Sequence, residues 1–275
     1  MAGRMEVWRR FWNHGGWWRA LLLTVAYFVL YQALSLIFLP LASRLDGQDT
    51  ALAVLVLYGM PILLGGVLLV AFALSAGWLR ELFQRQPISG RGWMWIAVAV
   101  VLVFNVLRLA TTDYGAAGFG LVAAWLLTGL LIGFAEEVLT RGLVVNLLRR
   151  AGYREIMVAV GSAALFAAMH AGNLLSGQSL FATALQLLYT FAFGICMYLT
   201  LRVTGNLIWP ILLHASTDPS VFLQSTYMLD SPLADVAALG NIAVIVVGLL
   251  SLFFIRGQVG APGLPGGTEA VKLSS

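Results

Sequence analysis

The chain has little charge, a single cysteine and almost no lysine. Of its 275 residues only 10% are charged, against 60% hydrophobic and 12% aromatic. A soluble core of this length cannot hide so much apolar surface, and long uncharged runs point to a bilayer. The expected fold class is therefore all-α, a polytopic membrane protein with about eight transmembrane helices. Cys196 lies inside an apolar run and, alone, forms no internal disulfide, so it says nothing of redox compartment. The formal net charge of +4 does not point to nucleic acid: all the basic residues but Lys272 are arginines scattered between apolar runs, as helix-flanking positive charge is. There is no HExxH zinc helix, no recognisable serine or cysteine nucleophile beside a histidine and an acid, no internal repeat and no soluble domain. No cleavable signal peptide is expected either. The first apolar run follows a stretch rich in Arg and Trp and is long enough to span, which reads as an anchor.

Eight apolar runs of spanning length are present, over 20–43, 51–78, 93–110, 118–148, 156–175, 180–201, 205–226 and 236–255. Their connections alternate as the positive-inside rule requires. One side receives Arg4, Arg9, Arg10 and Arg19, then Arg80, Arg85 and Arg91, then Arg149, Arg150 and Arg154, then Arg202, Arg256 and Lys272. The other receives only Arg44 and Arg108, with Asp46, Asp49, Asp113, Asp230 and Asp235. Both termini are expected in the cytoplasm. Residues 1–19 place Trp8, Trp12, Trp17 and Trp18 among arginines and read as an interfacial segment on the cytoplasmic surface. Residues 20–256 form the transmembrane helical domain, and 257–275, rich in Gly and Pro, read as a disordered cytoplasmic tail.

Ionisable side chains inside these runs are costly in lipid and mark a functional site or a paired network. They concentrate in three helices: Glu136, Glu137 and Arg141 in the fourth, His170 in the fifth, His214 and Asp218 in the seventh. Glu137 and Arg141 stand four apart and share a helix face, as do His214 and Asp218, and Phe166 and His170. Glu136 sits about 100° around from Glu137 and is expected to address a different helix. At 1.5 Å per residue, Glu136 lies roughly 21 Å from Arg150, His170 roughly 24 Å from Arg154 and His214 roughly 18 Å from Arg202. The four side chains Glu136, His170, His214 and Asp218 therefore fall at one depth, and the short link at 149–155 makes the fourth and fifth helices antiparallel neighbours.

Two chemistries suit such a cluster. A carboxylate in an apolar site is a competent base toward water, with a histidine to orient that water or to donate to a developing oxyanion. Alternatively, Glu136, His170, His214 and Asp218 are the candidate ligands of a Zn2+ ion that keeps an open position for water. Both routes end in hydrolysis. Among the neighbours, Phe166 reads as core packing, Asn173 as lining the cavity or capping a helix end, and Arg108 as a snorkelling residue.

The stretch EEVLTR at 136–141, FAAMH at 166–170 and HASTD at 214–218 resemble, in order and spacing, the EExxxR, FxxxH and Hxxx(N/D) motifs of the CPBP family, the CAAX-protease and bacteriocin-processing intramembrane metalloproteases. The resemblance implies an eight-helix endopeptidase in which Glu136 activates water with His170, Glu137 and Arg141 support that site, and His214 with Asp218 completes it. It also implies a peptide or protein substrate, membrane-associated or lipidated, reached within the lipid bilayer. Many prenyl-protease members carry Asn where this chain has Asp218. An ionised aspartate there repels an oxyanion, so the resemblance requires Asp218 to be protonated, paired with His214 or bound to metal. Two other functions use the same residues: a proton-coupled transporter, since Glu, His and Asp chains carry protons in membranes, and a non-catalytic scaffold or immunity protein. No inverted repeat or pair of broken helices supports transport.

Overall fold

The computed structural model describes residues 2–45 and 50–260, and the expected tail from 261 onward, with Asp46, Asp49 and Lys272, lies outside them. Among the described residues the chain is almost wholly helical, with only two isolated β-bridges and no strand. A short helix α1 (Ala2–Asn13) precedes α2 (Trp17–Leu36), α3 (Ala51–Ala76), α4 (Gly92–Ala110), α5 (Phe119–Arg150), α6 (Glu155–Ser176), α7 (Leu180–Thr204), α8 (Ile208–Tyr227) and α9 (Pro232–Phe254). The protein is an integral, multi-pass membrane protein: seven of these helices, α2 to α7 and α9, are long and apolar enough to span.

The eighth expected span, α8, falls short of that apolarity while still forming a helix of spanning length. Its polarity faces inward. Asn105 of α4 donates to Ser216 Oγ at 2.9 Å and Thr217 Oγ1 at 2.8 Å, so one side of α8 is tied to α4 by hydrogen bonds. The other side packs on α5 through glycine. A Cβ on Gly129 would stand 2.6 Å from the Ala215 carbonyl oxygen, and one on Gly133 would stand 2.7 Å from the Ile211 carbonyl oxygen. Pro219 has no N–H to return to Ala215, so that carbonyl is released from the helix ladder and faces the bare Cα of Gly129. Glycines on α5 thus let the α8 backbone, together with the Pro219 ring, pack directly against it.

Two of the arginines expected at the membrane surface are inside the protein. Arg149 is 5% exposed and Arg202 3%. Both converge on Glu155, which is fully buried: Arg149 Nε and Nη2 donate to its two oxygens at 2.8 and 2.6 Å, and Arg202 Nη1 donates at 3.1 Å. The Tyr198 hydroxyl also donates to Glu155. Arg149 Nη1 reaches Gln86 Oε1 at 2.5 Å and Arg202 Nη2 the Ser89 carbonyl at 3.0 Å, which brings the 84–91 connection into the same network. Arg108, expected to snorkel, is buried as well and donates to Asn241 Oδ1 at 2.8 Å, because α9 covers it.

Both termini of the described chain are tied to this arginine-rich end. Within the segment expected to lie on the membrane surface, Trp12 is buried, Trp8 Nε1 donates to Ser75 Oγ at 3.1 Å, and Asn13 accepts from Trp78 Nε1 at 2.9 Å. The interfacial segment is thereby docked on α3 and the turn that follows it. At the other terminus, residues expected to begin a disordered tail are held: the Glu155 N–H donates to the Gly257 carbonyl at 2.9 Å, and Gln258 bridges Arg154.

Glu155→Ala leaves two buried guanidinium groups facing an empty counter-charge position. It is expected to cost about 3–5 kcal/mol of stability. The fall in the unfolding midpoint of the purified protein in detergent checks this, and an unchanged midpoint contradicts it.

Candidate active site

The site lies where α5, α6, α7 and α8 meet. Glu136 and Glu137 end the regular part of α5, and the next seven residues, Val138–Val144, are π-helical. Such wide turns are uncommon and cluster at functional sites. Thr140 stitches the turn, donating to the Glu136 carbonyl at 2.6 Å and accepting from Arg141 Nη1 at 2.5 Å. The Thr140 carbonyl in turn accepts from Ser162 of α6 at 3.0 Å.

Glu137 Oε1 is shared. It accepts from Arg141 Nη1 at 3.0 Å and from His214 Nδ1 at 2.7 Å, and all three side chains are excluded from the surroundings. A carboxylate accepts only, so Nδ1 of His214 carries the proton and the ring's orientation is set. Nε2 of the same ring faces the Glu136 carboxylate at 3.5 Å and Asp218 at 3.7 Å. Glu136 was expected to address a different helix from Glu137; instead both reach His214. Glu137 and Glu136 straddle α8 as neighbours 100° apart on α5, and an imidazole between them offers one nitrogen to each.

Aromatic rings fix the histidines. The His214 ring stands edge-on to Phe193 (4.8 Å between centroids) and to Phe166 (5.8 Å). Phe166 also meets His170 edge-on at 4.9 Å and lies under the Arg141 guanidinium at 4.7 Å. Phe166 is thus core and site wall at once. His170 Nδ1 donates to the Phe166 carbonyl at 3.1 Å, since a carbonyl can only accept, and Nε2 is left as the free nitrogen.

The structure therefore brings Glu136, Glu137, Arg141, His214 and Asp218 into one contiguous group. His170 reaches the group across Phe166 rather than by a direct hydrogen bond, so the imidazole beside Glu136 is His214. Glu136 and Asp218 keep 20% and 25% of their side-chain surface open, while Glu137 and Arg141 keep none. Asn173 neither caps α6 nor joins the group; its amide donates to Gln186 Oε1 at 2.8 Å. Thr140, Phe193 and Gly194 are site residues that sequence reasoning passed over. Phe193 and Gly194 sit in an apolar run with no polar signal, yet a Cβ on Gly194 would lie 2.9 Å from Arg141 Nη2, so the glycine makes room for the guanidinium.

Two imidazoles and two accessible carboxylates are the donor types zinc accepts. Their arrangement is another matter: among the described residues no three His, Cys, Asp or Glu side chains form a metal-holding group. The chain suits zinc in donor type and not in geometry.

Residues 118–219, which hold every one of these groups, match the family model described as Rce1-like, type II CAAX prenyl endopeptidase Rce1-like. The chain carries an Rce1-like protease domain. No curated protein and no solved structure matches it. The Rce1-like domain runs from the start of α5 to Pro219, just past Asp218, and so spans both sides of the glycine-lined contact between α5 and α8.

Glu137→Gln keeps the shape of the side chain and removes the charge that holds both Arg141 and His214. It is expected to lower the cleavage rate by about 10–100-fold, the usual effect of losing the carboxylate behind a functional histidine. It should also lower the unfolding midpoint by stranding Arg141. The double variant Glu137→Gln/Arg141→Met should recover the midpoint but not the rate. Recovery of both would show that the pair is only structural.

Proposed function

We propose that the protein hydrolyses a peptide bond within the membrane by a water molecule activated on Glu136. The observation that carries this reading is the placement of one carboxylate on each nitrogen of His214, the Glu137 side sealed and the Glu136 side open. Glu136 takes a proton from water as the water oxygen attacks the carbonyl carbon of the substrate. The negative charge that develops on the carbonyl oxygen is met by an Nε2–H, either of protonated His170 or of a doubly protonated His214 whose Nδ1–H stays on Glu137. Glu136 then gives its proton to the amide nitrogen, the C–N bond breaks, and a new carboxyl and a new amine terminus leave. Glu137 acts through His214, orienting its ring, and Arg141 compensates the Glu137 charge. Asp218, 3.7 Å from His214 Nε2, is paired with that imidazole in this reading, which keeps its charge from opposing the oxyanion.

The substrate is a peptide or protein that reaches the bilayer, through its own apolar segment or an attached lipid. The arginine-rich end is assigned to the cytoplasm by the positive-inside rule, and crossings by all of α2 to α9 return both termini to that side. No step above passes through a metal. If zinc is bound by Glu136, His170, His214 and Asp218, it supplies Lewis-acid polarisation of the carbonyl while the protein groups keep the proton transfers.

Two measurements test the reading. Membranes with wild type and with Glu136→Gln at equal abundance are compared by mass spectrometry of peptide termini; termini present only with wild type are expected, and matching lists refute the hydrolytic assignment. Metal analysis of the purified protein is expected to find less than one zinc per chain, with cleavage surviving a chelator. Stoichiometric zinc and loss of cleavage on chelation would move zinc into the mechanism.

A further inference from the structure

The two partly open carboxylates, Glu136 and Asp218, lie toward one end of the bundle. Toward the arginine-rich end, Glu137 to Val145 of α5 and Ala192 to Arg202 of α7 are buried without interruption, and the cavity of about 270 Å³ at that end is lined by Arg141 and Gly142 and not by Glu136 or Asp218. In the other direction the bundle opens. Phe222 follows Asp218 by four residues, so its ring lies on the same side of α8 about 6 Å further along. Trp125 precedes Glu136 by eleven residues, close to three full turns, and shares its face of α5.

These two rings meet face to face, 4.3 Å between centroids and 11° between planes. Tyr58 completes the group, 5.5 Å from Trp125 and 6.4 Å from Phe222, both at 33°. Trp125 is the buried floor, whereas Tyr58 and Phe222 are 43% and 40% exposed. Tyr58 stands on a second π-helical turn, Leu55–Gly59, and Gly59 beside it lets α3 close on Thr128 of α5. No charged residue occurs in α3 or in α5 before Glu136, so beside these rings the one charged neighbour among these three helices is Asp218, a turn away on α8.

We infer that Tyr58, Trp125 and Phe222 form a specificity subsite that takes a large apolar or aromatic side chain of the peptide, close in sequence to the bond being cut. The inference rests on Glu136 as the base that cuts that bond. A floor of stacked rings with Tyr58 and Phe222 partly exposed fits a planar or bulky side chain. It starts one helical turn beyond Asp218 and reaches Trp125, about 16 Å from Glu136 along α5, which spans up to roughly five residues of an extended peptide. A peptide entering here comes from the end of the bundle opposite the arginines.

The test uses full-length wild type, Phe222→Ala, Tyr58→Ala and Glu136→Gln, each in phosphatidylcholine vesicles, with a library of apolar peptides carried both plain and lipid-modified. Mass spectrometry reads the cut sites and their rates. Wild type is expected to favour Phe, Trp, Leu or Met at one fixed offset from the cut. Phe222→Ala and Tyr58→Ala should each lower kcat/KM for those peptides by about tenfold, through KM, while sparing peptides with Ala at that offset. Two substitutions on different helices keep the test informative if one of them fails to fold. Absence of any apolar preference, or an unchanged preference in both variants, overturns the subsite. Cutting that depends on the attached lipid and not on the residue assigns the groove to the lipid and overturns it as well. Equal cutting by Glu136→Gln is a distinct result that removes the hydrolytic reading itself, and the subsite with it.

Discussion

Everything at this site depends on one carboxylate oxygen. Glu137 Oε1 accepts from Arg141 and from His214 in a place from which solvent and lipid are both excluded. A buried carboxylate needs its charge paired. Oε2 of Glu137, like Nε and Nη2 of Arg141, has no hydrogen-bond partner among the described residues, so one oxygen carries both contacts. The same oxygen decides which nitrogen of His214 carries the proton. The other nitrogen is thereby turned toward Glu136 and Asp218, the only two site carboxylates that remain open.

That geometry demands that α5 and α8 stand closer than side chains allow. Gly129 and Gly133 remove the obstacle on one helix, and Pro219 frees a carbonyl on the other to lie against them. A polar helix is the consequence. α8 carries His214, Thr217, Asp218 and Ser220 and could not face lipid on those sides, so α4 takes up its hydroxyl face through Asn105 while α5 takes up its histidine. The protein thus concentrates polarity on the inward faces of α8, whose Ile208, Trp209 and Leu212 still point outward.

The bundle is uneven along its length. Its arginine-rich half is cross-braced by Glu155 with Arg149, Arg202 and Tyr198 and held by contacts from both ends of the described chain. Its other half holds exposed rings and a partly open pair of carboxylates. On the proposed reading, the braced half keeps the acid–base groups in register and the open flank admits the substrate.

The helices, seven of the eight expected spans and the three motifs were legible in the sequence, because each depends on local pattern: a helix repeats every 3.6 residues whatever it packs against. Glu137 with Arg141, and His214 with Asp218, could be paired on that basis alone. Other features could not. That Glu136 and Glu137 share one histidine, that Phe166 separates His170 from the rest, and that Arg108, Arg149 and Arg202 turn inward are decided by which helix lies alongside which. An arginine next to an apolar run reads the same whether its neighbour is a lipid headgroup or a glutamate seated inside the fold, as Glu155 is for Arg149 and Arg202. The tertiary structure alone supplied that neighbour, because burial and charge pairing are set by contacts between residues far apart in the chain.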